Sequence, residues 1–106
     1  MFKQKSKSPT VDELFDAILT LKTREECYQF FEDIATVAEV KALAQRLQVA
    51  KLLSEEHTYD SIAKQTGVSA TTICRIKSCL LYGADGYRLV LSRLAEQAAE
   101  ETAKEA

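Results

Sequence analysis

Between His57 and Tyr82 the sequence HTYDSIAKQTGVSATTICRIKSCLLY leaves the backbone little choice. It reads as two short helices broken at Gly67. Thr58 is placed to cap the first, its hydroxyl accepting from amides one turn on. Ile62, Ala63 and the methyl of Thr66 recur at helical spacing on one face. Gly67 then ends that helix, because the residue after a helix often takes a left-handed conformation that Gly enters without cost. Val68 is a small apolar plug, and Ser69 caps the second helix. There Ile73, Ile76 and Leu80, with Leu81 beside them, form an inward stripe. Ser69, Ala70, Thr71, Thr72, Arg75 and Ser78 are left on or near the opposite side.

Two helices joined by a short Gly-containing turn allow the second to enter a DNA major groove. The leading end of that helix must then be small, polar and hydrogen-bonding, so that backbone approaches phosphate and side chains reach base edges. Ser69, Ala70, Thr71, Thr72 and Arg75 suit base edges, while Thr58, Lys64, Gln65 and Lys77 suit phosphates. The expected function is sequence-specific regulation of transcription on double-stranded operator DNA. Two plainer readings stand beside it: a helical hairpin that packs into a core, and a helical module that binds other proteins.

At 106 residues the chain is one modest domain, 46% hydrophobic and 28% charged, as in ordinary soluble proteins. With one Pro, three Gly and almost no alternating segment, the fold class is all-α, about six helices. The net charge of −2 is unusual for a DNA binder. It is unevenly spread, however. Residues 57–82 carry Lys64, Arg75 and Lys77 against Asp60, whereas 96–106 carry Glu96, Glu100, Glu101 and Glu105 against Lys104. Acids are thus concentrated away from the hairpin. Cys27, Cys74 and Cys79 lack metal or redox spacing and are expected as reduced core thiols in a cytoplasmic protein. No apolar run approaches a membrane span. One His, with no paired carboxylates, phosphate-cradling Gly loop or metal set, argues against an enzyme.

Residues 1–9 read as a disordered basic arm, 10–94 as the helical domain with its helix–turn–helix at 58–82, and 95–106 as a frayed acidic helical tail. Three capping boxes mark helix starts: Thr10 with Glu13, Thr23 with Glu26 and Thr36 with Glu39. The first helix is expected from Val11 to Leu21, the third from Thr36 to about Ser54, with Val40, Leu43, Leu47, Ala50 and Leu53 as its stripe. Asp85 is expected to cap a last helix bearing Tyr87, Val90, Leu91 and Leu94. Phe15, Tyr28, Phe30 and Phe31 are more than a small monomer covers, which predicts a homodimer with two reading helices.

The FFEDI block at 30–34, LAQRL at 43–47, the pattern T-Y-x-x-I-A-x-x-T-G-V-S-x-x-T-I-x-R across 58–75, and C-L-x-Y-G at 79–83 resemble the tryptophan-repressor superfamily, in particular its YerC/YecD-type branch. The resemblance implies a bacterial, all-helical, intertwined homodimer that binds operator DNA. It also implies an effector pocket, with Arg46 and Arg75 at the positions that sandwich an indole and Thr36 at a position that holds the amino-acid end. Ile76 departs from the Gly of tryptophan-responsive members, and Cys79 from a Ser that contacts the ligand. A branched side chain fills the volume an indole would need. Tryptophan is therefore disfavoured, another small effector stays open, and no cofactor or metal is expected.

Overall fold

The structure, a computed structural model, describes residues 7–105, with side chains through Lys104. Most of the expected basic arm therefore lies outside the described residues. Six helices follow one another: α1 (Pro9–Ile18), α2 (Arg24–Ile34), α3 (Val37–Ser54), α4 (Tyr59–Thr66), α5 (Ala70–Tyr82) and α6 (Gly86–Glu105). No strand occurs among the described residues. None of these helices is long and apolar enough to cross a membrane. The chain forms two units that divide within α3, between Lys41 and Ala42.

In the first unit, α1 begins earlier than the Thr10 capping box implies. Pro9 occupies its first turn and the Ser8 hydroxyl accepts from Val11 N at 3.2 Å. Proline at the first helical position forfeits no hydrogen bond and arrives with a helical φ, so Ser8–Pro9 outcompetes Thr10. The helix also ends at Ile18 rather than Leu21. Thr20 N bonds Ala17 O at 3.1 Å and Leu21 N bonds Ile18 O at 3.0 Å, a tightened turn. The Thr23 cap is as expected, with Glu26 N donating to its hydroxyl at 3.1 Å, yet the Glu26 carboxylate accepts from Lys22 N instead of Thr23 N. Thr36 and Glu39 make the full reciprocal box, at 2.8 and 3.1 Å. Phe30 and Phe31 pack edge to face, centroids 5.5 Å apart.

The core belongs to the second unit. Val49, Ala50 and Leu53 of α3, Ile62 of α4, and Ile73, Ile76 and Leu80 of α5 are buried together. Leu52, Ala63, Val68, Tyr87 and Leu91 pack against them. The α5 stripe is the expected one. On α3, Ala50 and Leu53 of the expected stripe are buried and Val49 beside them is fully buried, while Leu43 is 52% exposed. The core forms where α4 and α5 meet the C-terminal turns of α3, at Val49, Ala50 and Leu53.

The three cysteines are free and exposed, contrary to the expectation of core thiols. Cys74 and Cys79 each sit one residue from an inward position of α5, about 100° around the helix from Ile73 or Leu80. Asp85 stands before α6 and its carbonyl accepts from Leu89 N at 3.0 Å. Its φ of 64° is left-handed, not the extended conformation of a side-chain cap. Beyond it α6 runs unbroken through the acidic tail, exposed at every residue from Ser92 on whose side chain is described.

Candidate nucleic-acid interface

Local chemistry builds the α4–α5 hairpin at each step. The Thr58 hydroxyl accepts from Ser61 N at 3.1 Å, opening α4. Gly67 closes it at φ 73°, ψ 9°, its amide donating to Ala63 O at 2.8 Å. No atom lies within 4 Å of where a Gly67 Cβ would stand, so backbone conformation alone selects glycine here. Thr66 donates its hydroxyl to Ile62 O at 2.7 Å and accepts from Val68 N at 3.2 Å, which fastens the turn. Gln45 of α3 donates to Thr66 O at 3.3 Å. That tie was not legible beforehand, because Gln45 sits off the apolar stripe of a helix distant in sequence.

Ser69 opens α5. Its Oγ accepts from Thr72 N at 3.3 Å and donates to Thr72 Oγ1 at 3.1 Å. Ser69, Ala70, Thr71 and Arg75 are exposed, whereas Thr72 is half-buried. The stripe of Ile73, Ile76 and Leu80 is buried on the far side. The leading end of α5 therefore presents hydroxyls, a methyl and one guanidinium, with amides of the first helical turn behind them. At the other end of α5 a Cβ on Gly83 would strike the Cys79 carbonyl, which explains a glycine there without any left-handed backbone.

The expected phosphate contacts separate into two settings. Thr58, Lys64 and Gln65 lie exposed on α4 and its cap. Gln65 Nε2 donates to Ser61 Oγ at 2.9 Å and lies 3.5 Å from His57 Nδ1. Lys77 is half-buried and lines a cleft with Arg88 on another flank of α5. Among the described residues the salt bridge is Lys7–Asp12 at 3.3 Å, and His57 Nε2 lies 3.9 Å from the Glu55 carboxylate, so Lys64, Arg75 and Lys77 have no ion-pair partner. Tyr59, 38% exposed, has its phenol pKa raised by desolvation, with the neighbouring Cys74 adding to the effect.

Of the expected effector residues, Arg46 and Arg75 lie in the second unit. Arg46, Ser69, Thr72 and Ile76 line a cleft of about 250 Å³ between α3 and α5. Arg75 does not line it. Thr36 belongs to the first unit, where its hydroxyl and amide are both used by the α3 capping box. Ile76 is 5% exposed and committed to the core. Beside this cleft burial raises the Tyr87 pKa; Cys79 adds to the rise and the Arg46 guanidinium opposes it.

An all-helical chain with this hairpin and this exposed polar end of α5 belongs to the helix–turn–helix class of folds. Residues 9–95 match the Trp repressor protein family, and the chain belongs to that family. The uncharacterized protein YerC of Bacillus subtilis is 47% identical over 100 residues, covering 94% of this chain and 96% of that protein. A crystal structure of a candidate Trp repressor from Staphylococcus aureus superimposes with a TM-score of 0.82 at 50% identity, covering 86% of this chain and 91% of that one. A TrpR-like protein from Eubacterium eligens gives the same TM-score of 0.82 at 49% identity, covering 86% and 94% respectively.

Proposed function

We propose that the protein is a cytoplasmic, homodimeric, sequence-specific DNA-binding regulator of transcription. The observation that carries this is the leading end of α5: Ser69, Ala70, Thr71 and Arg75 face solvent while Ile73, Ile76 and Leu80 hold the helix down. In this reading those residues and Thr72 meet base edges, and Thr58, Lys64, Gln65 and Lys77 meet phosphates. The dimer is supported by the apolar side chains that one copy leaves open: Leu14, Phe15, Leu19, Tyr28 and Ile34. A two-fold pair supplies two reading helices for half-sites about one DNA turn, roughly 34–36 Å, apart. Membership of the Trp repressor family supports both parts.

Tryptophan is not the effector in this reading, because Ile76 packs into the core from the lining of the cleft where the ring would lie. A different small effector in that cleft would meet the Arg46 guanidinium in its wall.

Bound fragments selected from genomic DNA provide the test. Against a selected site and a random duplex, Arg75→Ala should lose about 1–3 kcal/mol on the site and far less on random DNA. Lys64→Ala should weaken both alike and flatten the salt slope by about one unit. Absence of any affinity at low ionic strength, with the dimer intact, would favour the second reading, a protein-interaction module. That reading draws on the net charge of −2 and the acidic α6 tail.

A further inference from the structure

A second cleft lies where the end of α3, the lower half of α5 and α6 meet, and the DNA-binding reading leaves most of it without a use. It is an open cleft of about 420 Å³, lined by Leu53, Leu80, Leu81 and Leu91, by Lys77 and Arg88, and by Ser54 and Ser92. It shares no residue with the Arg46–Thr72 cleft. No acid contributes to its wall, and among the described residues neither Lys77 nor Arg88 has an ion-pair partner or a side-chain hydrogen bond. The volume falls within the range of about 300–1,000 Å³ typical of small-molecule sites.

Four leucines beside two uncompensated cations select a ligand by chemistry. A hydrated anion such as inorganic phosphate gains nothing from the leucines, and an apolar neutral molecule leaves the cations unanswered. A cation would be repelled. We propose that this cleft binds a small amphipathic carboxylate, its apolar body on Leu53, Leu80, Leu81 and Leu91 and its two oxygens held by Lys77 and Arg88. Charge-assisted bonds from an ammonium and a guanidinium fix the head, and burial of the body supplies most of the affinity.

The test follows the leucine methyl resonances of the full chain, without DNA, during titration with octanoate and with 1-octanol. Saturable shifts at Leu80, Leu81 and Leu91 are expected, with octanoate binding about tenfold or more tightly than 1-octanol. In the double variant Lys77→Ala/Arg88→Ala the two ligands should bind alike. Leu81→Asp, at a residue already 49% exposed, should abolish both while circular dichroism confirms the fold. Equal affinity of the two ligands for the unaltered chain overturns the proposal, as does octanoate binding that survives the double replacement. Methyls that ignore octanoate and shift only on dilution would mark the cleft as covered by a second copy, and they overturn it too. Since no DNA is present, these outcomes do not depend on the regulator reading.

Discussion

Leu19, the C-terminal cap of α1, keeps 81% of its surface open, whereas Ile62, in α4, keeps none. Both sit on apolar faces with helical spacing, and both helices are short, of 10 and 8 residues. The contrast extends over the two stretches that contain them. From Pro9 to Ile34 no residue is buried, and Phe15 and Tyr28 stand 55% and 69% exposed. From Val49 to Leu80 seven apolar residues close on one another. Isolated helices of this length are marginal in water, so an amphipathic face is a demand for a partner. Within the second unit the demand is met by α3, α4, α5 and α6. In the first unit it remains open.

The largest effect should separate the two stretches directly. Ile62→Ala removes a fully buried side chain and should cost about 2–5 kcal/mol in urea unfolding at low protein concentration. Leu19→Ala under the same conditions should stay within about 0.5 kcal/mol. Similar losses at both positions would break the comparison.

Self-association sharpens it next. Phe15→Glu/Leu19→Glu should raise the dimer dissociation constant by more than about tenfold in sedimentation equilibrium, leaving the unfolding of the second unit unaltered. An unchanged constant would mean that these side chains are not what a second copy covers.

Turn chemistry should matter less. At Gly67 the left-handed backbone makes Gly67→Ala destabilising by about 1 kcal/mol, although a methyl would touch nothing. Gly86→Ala, at the start of α6 with open space and no positive φ, should stabilise by about 0.5 kcal/mol. Paired thermal melts check both.

The smallest effect is electrostatic and belongs to the first unit. Hydrogen bonds from the Thr36 backbone and hydroxyl lower the Glu39 pKa from its ordinary carboxylate value. A carboxylate lowered in the folded state contributes stability that is present above that value and lost as pH falls through the folded pKa. Glu39→Gln should flatten helix content between neutral and acid pH, measured by circular dichroism, whereas an identical acid limb would deny the capping box its charge.

Reading of the sequence succeeded where the signal was local. Thr23, Thr36, Thr58 and Ser69 cap helices through bonds that span three residues, and Gly67 answers to its own φ. It failed where neighbours compete. Ser8–Pro9 displaced Thr10, the Glu26 carboxylate turned to Lys22, and Asp85 capped with its carbonyl alone. Burial was the least legible quantity. Leu43 and Val49 lie on the same helix with like hydrophobicity, and only the position of α4 and α5 decides that Val49 is covered. Cys74 and Cys79 were misjudged for the same reason: a small apolar residue one step from an inward position is outside, not inside. Arg88 gave no signal at all, since it shares a cleft wall with Lys77 of another helix, which the spacing of neither helix reveals.

By itself, then, the sequence determined six helices, the Gly67 break and the polar opening of α5, because each rests on bonds between residues a few positions apart. The tertiary structure decided which apolar faces close, which clefts exist and which cations they hold. Those depend on contacts between segments far apart in the chain, where a rotation of one residue about a helix exchanges a buried side chain for an exposed one.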